Sequence, residues 1–154
     1  MEPARFLLLL AATGCGTSLL PLAHSSGAAF SQEGVVLAVV GQICQPSPDA
    51  TQPSKTRLDA TFATEVGNPT RGSLTVHPDG FVLTVADGTS IRTSTPEAAQ
   101  AVSVESGTTT RFMLRFVANG SCSQEMRLVP SAAIELRGSP ILIDPVRFVP
   151  VAPR

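Results

Sequence analysis

Apolar side chains fall at every second position through most of the chain from Arg57 onward, and that period of two commits it to half-buried β-strands. In Arg57 to Val66, Leu58, Ala60, Phe62 and Val66 share one face, while Arg57, Asp59, Thr61 and Glu65 share the other. Leu74 and Val76 precede His77-Pro78-Asp79-Gly80. Pro presets φ there and Gly tolerates a positive φ, so a turn is expected before Phe81, Leu83 and Val85. An even-numbered loop places Val76 opposite Phe81 and Leu74 opposite Leu83, with both apolar sets on one face.

Thr110 to Ala118 and Ser121 to Val129 flank Asn119-Gly120. A two-residue loop would set Phe116, Leu114 and Phe112 against Ser123, Glu125 and Arg127, which buries charge or exposes phenylalanine. A three-residue loop instead pairs Phe116 with Cys122, Leu114 with Gln124 and Phe112 with Met126, with Gly120 at the left-handed position of a bulge. That register turns Cys122 inward. Ala133 to Arg137 and Ile141 to Val149 complete the set, and Pro145 marks an edge or a bulge in the last of them.

Val35 to Cys44 is apolar on both parities, as in a strand covered on both sides or one that changes sheet. The Pro/Ser-rich Gln45 to Lys55 reads as one long exposed loop, and Asp87-Gly88 as a turn. The one helix signal is Thr95-Pro96-Glu97-Ala98-Ala99-Gln100, with a cap, a first-turn proline and an acid at the dipole's positive end. It supports one or two turns. Seven to eight short strands joined by loops give an antiparallel, immunoglobulin-like β-sandwich over residues 34–150.

The amino terminus reads as an export address. Met1 to Arg5 forms a short n-region, and Phe6 to Ala12 an apolar run of h-region length that is too short to span a bilayer. Gly14, Gly16 and Pro21 interrupt its extension. Two processing routes fit. Ala12-Thr13-Gly14-Cys15 resembles the lipobox of bacterial lipoproteins, which makes residues 1–14 a signal, Cys15 the acylated residue and 15–33 a tether of Gly, Ser, Ala and Leu. Gly16, not Asp, then follows the acylated cysteine, as in lipoproteins sent on to the outer membrane. The alternative is signal-peptidase cleavage after Ala28 or Ala29, which yields a soluble secreted protein.

Either route accounts for Cys15 and leaves Cys44 and Cys122 as an even pair in an oxidising compartment, so a disulfide between them is expected. With no C-x-x-C spacing and two distant histidines, His24 and His77, a metal site is not expected.

Catalytic residues are not expected either. A hydrolytic triad needs a nucleophile, a histidine and an orienting carboxylate. The body offers only His77, in a turn, with Asp79 too near in sequence to orient it. The acids are scattered singly, which gives neither a glycosidase pair nor a calcium loop. No phosphate cradle joins a strand to a helix, so no cofactor is expected. Eleven basic against twelve acidic residues leave no basic excess for nucleic acid. Without Trp or Tyr, and with the strand phenylalanines read on core faces, no exposed stacking platform is expected. Arg111 and Arg115 share one outward face, with Arg127 read alongside. They are the candidate contact for a small anion or another protein, against the plainer reading of a solvated strand face.

Three segments support a resemblance: Phe62-Ala63-Thr64-Glu65-Val66-Gly67-Asn68, Phe81 to Gly88, and Ser106-Gly107-Thr108 leading into Arg111 to Phe116. Over about Leu58 to Phe148 the body resembles the immunoglobulin-like domains of unknown function attached to bacterial lipoproteins. It departs from them in lacking the Tyr often found after the Asp-Gly turn. The resemblance implies a fold and an extracytoplasmic setting, and assigns no site residues. The function expected is that of a non-enzymatic, lipid-anchored envelope module that contacts another envelope protein; the alternative is a soluble ligand-binding or inhibitor module.

Overall fold

The computed structural model describes residues 22–24, 28–49, 51–52, 56–94 and 100–150. Cys15, the signal segment 1–14 and all but Gln100 of the expected helical turn lie outside these residues. The described chain is all β. A front sheet is ordered β2-β3-β4-β9, from β2 (Ala28–Phe30), β3 (Val36–Pro48), β4 (Thr56–Gly67) and β9 (Thr109–Asn119). A five-stranded sheet is ordered β1-β13-β10-β6-β7, from β1 (Leu22–His24), β13 (Val146–Pro150), β10 (Met126–Pro130), β6 (Phe81–Val85) and β7 (Ser90–Arg92). A small sheet follows the order β12-β11-β5-β8, from β12 (Ser139–Pro140), β11 (Ile134–Leu136), β5 (Leu74–Val76) and β8 (Val102–Val104). Every pairing is antiparallel, and the inward faces merge into one apolar core, an all-β sandwich.

The alternation in β4 is realised as read: Leu58, Ala60, Phe62 and Val66 are fully buried. Phe62 stands at the centre of the sandwich, 4.8 Å centroid to centroid from Phe148 of the facing sheet and 5.8 Å from Phe116 beside it. Phe81 meets Phe112 across the layers at 5.6 Å. Thr64 occupies the same inward face, and its Oγ1 has no hydrogen-bond partner among the described residues.

In β3 the mixed parity has a cause other than two-sided cover or a change of sheet. Val39 pairs with Thr64 and Gly41 with Ala63, so Val40 is an extra residue. This bulge inverts the parity: Leu37 and Val39 point inward before it and Cys44 after it, while Val40 and Ile43 stay exposed. The strand then runs on to Pro48, paired with Thr56, so the expected Gln45–Lys55 loop begins only after Pro48. Pro46 and Pro48 are tolerated because β2 covers only Val36 to Ala38, and among the described residues no strand pairs with the far edge of β3 beyond it.

Both expected hairpins are corrected. β5 and β6 do not pair; β5 lies between β11 and β8, and β6 between β10 and β7. His77-Pro78-Asp79-Gly80 forms a single 3-10 turn over Pro78–Gly80 that carries the chain from one sheet to the next. It is docked by its backbone, since His77 N donates to Ala133 O at 2.7 Å. Gly80 is required by space, because a Cβ there would lie 2.8 Å from Ala133 Cα. Likewise β9 pairs with β4, and β10 with β6 and β13, so Asn119-Gly120 opens a crossover between layers. The segment 15–33 is not wholly a tether. Leu22–His24 pairs with β13 and Ala28–Phe30 with β3, and Ser31 Oγ accepts bonds from Glu33 N and Val35 N at 3.1 Å. Small side chains suit this edge, with Ala29 and Ser31 buried, while Phe30 points outward and is 63% exposed, unlike the other strand phenylalanines. Pro145 lies just before β13, not within a continuous strand from Ile141.

Cys44 and Cys122 are joined, with Cα atoms 5.8 Å apart and a sequence separation of 78. The bond ties the middle of β3 to the crossover before β10. Closing a loop of that length is worth about 4 kcal/mol in the chain-entropy description. Cys44→Ala/Cys122→Ala is therefore expected to lower unfolding free energy by about 4 kcal/mol in denaturant titrations while leaving the β-sheet circular dichroism unchanged. Thr64→Val is expected to do the opposite. It replaces a buried, unpartnered hydroxyl by an isosteric methyl, and a gain of about 1 kcal/mol should register in the same titration.

Candidate functional site

The outward face of the front sheet holds the residues singled out from the sequence. β4 and β9 pair from Arg57↔Asn119 to Gly67↔Thr109, so outward positions stand in rows, with Glu65 beside Arg111 and Thr61 beside Arg115. Arg111 reaches Glu65, its Nε donating to Oε1 at 2.8 Å. Arg115 reaches diagonally to Asp59, with Nε donating to Oδ1 at 2.8 Å and Nη2 to Oδ2 at 2.5 Å. The structure thus brings the two arginines onto one face and neutralises each with a carboxylate from β4. That pairing works against the small-anion reading. Arg115's hydrogen bonds hold the Asp59 carboxyl below the usual carboxylate range and raise its own pKa in turn.

Arg127 is not alongside them. It lies on β10, across from Arg147 of β13, and Glu125 joins the two: it accepts from Arg147 Nη2 at 2.7 Å and from Arg127 Nε at 3.2 Å. Those bonds, Arg147's first, hold the Glu125 carboxyl low. Beside this triad lies an open depression of about 340 Å³ lined by Thr84, Val85, Ala86, Gly88, Glu125 and Arg127.

His77 is half-buried, not a freely solvated turn residue, and its Nε2 stands 3.6 Å from Glu135 Oε2 on the neighbouring β11. Asp79 is exposed in the 3-10 turn. Among the described residues no group of three His, Cys, Asp or Glu side chains converges as metal ligands would.

One residue that enters the sequence reading only as the end of a resemblance segment proves structural. Asn68 is buried, and its Nδ2 donates to Gly72 O at 2.7 Å and Val104 O at 2.8 Å, while its Oδ1 accepts from Thr70 N and Thr70 Oγ1. The side chain therefore ties the end of β4 to β8. Asn-Pro-Thr carried the local half of this signal, an Asx turn. The bond to Val104, 36 positions away, had none.

No protein-family model matches the chain, and no curated protein is significantly similar to it. Solved structures share the fold. A "putative lipoprotein (ycdA)" from Bacillus subtilis superposes with a TM-score of 0.53 at 16% identity, over 79% of this chain and 38% of that one. The chain thus spans less than half the length of that protein. A functionally unknown protein from Listeria monocytogenes superposes with a TM-score of 0.55 at 14% identity, over 87% of this chain and 88% of the other. At such identities the likeness is one of fold.

The low carboxyl pKa of Asp59 gives a pH dependence of known sign. Its folded pKa lies below its unfolded value, so the stabilisation is complete above the unfolded pKa and is lost as pH falls through the folded one. Thermal unfolding is expected to be level from neutrality to about pH 5 and to soften below about pH 4. Arg115→Ala should cost under about 1 kcal/mol at pH 7, as for solvent-screened pairs, and flatten the acid limb of the melting curve.

Proposed function

We propose that this chain is a lipid-anchored, non-enzymatic module of the bacterial cell envelope, a β-sandwich that works by contact with another protein. One observation carries the choice between processing routes. Cleavage after Ala28 or Ala29 would fall inside β2, where Ala29 is buried and pairs with Leu37, and would remove β1 altogether. Cleavage before Cys15 leaves every described strand whole, with Cys15 only seven positions ahead of the first of them. That spacing supports a body held close to the bilayer surface. Gly16 after the acylated cysteine supports transfer to the outer membrane as the finer placement. The fold shared with a lipoprotein-described structure is in keeping with this setting.

The non-enzymatic part of the reading is supported by how the charges are spent. The carboxylates Asp59, Glu65 and Glu125 are each engaged by arginine across neighbouring strands. Such pairs shape a surface and do not poise a proton donor.

Cys15→Ser is expected to move the protein from the membrane fraction to the soluble extracytoplasmic fraction, with the body still folded and disulfide-bonded. The wild-type protein should show the added mass of lipid on an amino-terminal Cys15. A soluble wild-type protein beginning at Ala29 or Phe30 would overturn the anchor.

A further inference from the structure

The outward face of the front sheet has an internal symmetry of charge and size. Across β3, β4 and β9 its rows run Ala38–Glu65–Arg111, Gly41–Ala63–Met113, Ile43–Thr61–Arg115 and Gln45–Asp59–Val117. The middle is apolar: Val40, Ile43 and Met113 are 49%, 50% and 51% exposed, set around the small Gly41 and Ala63. Over these rows the acids Glu65 and Asp59 stand on β4 and Arg111 and Arg115 on β9, with Arg57 one outward position beyond Asp59 on β4, so within the rows the sign of charge reverses across a single gap of about 4.8 Å between strands.

A two-fold axis in the plane of this face, parallel to the strands and midway between β4 and β9, exchanges those two strands without shifting the rows. It lays Glu65 over Arg111 of a second copy, and Asp59 over Val117 beside Arg115 of that copy. Met113 comes down over Ala63 of the second copy, where a methyl side chain leaves it room, and the reciprocal contact forms by symmetry. Turning the axis across the strands about the Ala63–Met113 row would instead set Arg111 over Arg115 of the second copy, like charge on like. Aligned stacking of two sheets is an ordinary packing mode. We propose that this face is a homodimer interface, occupied by a second copy of the chain stacked β4 over β9. The proposal goes beyond the anchoring reading and does not depend on it. An overlap of two strands belongs to the small, transient class of interface, and salt should weaken it.

The test uses protein recovered from the extracytoplasmic fraction of cells carrying Cys15→Ser, so that lipid does not drive association. Sedimentation over micromolar to millimolar concentration is expected to show a monomer–dimer equilibrium. Arg111→Glu/Arg115→Glu makes the four paired positions all acidic, and Asp59→Arg/Glu65→Arg makes them all basic. Each variant alone should stay monomeric, with unchanged circular dichroism, because these side chains lie on the surface. An equimolar mixture of the two should form a heterodimer. A wild-type protein still monomeric at about 1 mM, a limit of roughly −4 kcal/mol, would overturn the proposal. So would variants that dimerise as the wild type does, or a mixture that does not associate. Failure of the anchor would appear separately, as a wild type already soluble before Cys15 is changed.

Discussion

One extra residue in β3 reconciles two demands that its sequence makes at once. Val35, Leu37 and Val39 need the core on odd positions, and Cys44 needs it on an even one. A regular strand alternates strictly and satisfies only one of these. The Val40 bulge inverts the parity, so both halves of a thirteen-residue strand bury the same side. Cys44 then faces the core opposite the crossover that brings Cys122 down from β9, and the covalent tie between the layers follows. Without the bulge the cysteine would point to solvent, and Phe62, packed between Phe116 and Phe148, would hold the layers together without it.

The two faces of the front sheet divide the work. Its inner face supplies the apolar contacts, and its outer face carries two ion pairs ordered by strand, Asp59 and Glu65 on β4 against Arg115 and Arg111 on β9. Pairs of this kind contribute little to stability individually, since both partners remain partly solvated. Their arrangement matters more for what the surface can meet. A charge boundary running along the strands, with an apolar strip between two ion pairs, favours a partner of opposite order over a uniformly charged one. Of the two amino-terminal strands, β2 sits at the opposite edge of this sheet from β9, while β1 joins the five-stranded sheet beside β13.

Much of the fold was legible because alternation is a local property. Leu58, Ala60 and Phe62 each declare their face from the residues on either side, and the core formed accordingly. Cysteine parity, with the export expected from the amino terminus, likewise led to the Cys44–Cys122 pairing. The Arg111–Arg115 face was legible from its spacing, yet its meaning changed with Asp59 and Glu65, which lie 56 and 46 positions from their partners. No local pattern reports a contact at that range.

The sequence by itself determined which side of β4, β6 and β9 is buried, the all-β character of the described residues, and the pairing of Cys44 with Cys122. Tertiary structure alone decided which strand lies beside which. Leu74–Val76 and Phe81–Val85 around a Pro-Asp-Gly turn, and Phe112–Phe116 and Met126–Leu128 around Asn-Gly, carry the marks of hairpins, yet each pair divides between sheets. The physical reason is that alternation specifies a face, whereas strand order is set by the edges, whose backbone donors and acceptors are the same for every residue but proline. Distant strands compete for those edges, and the competition is settled by whichever arrangement closes one core around Phe62.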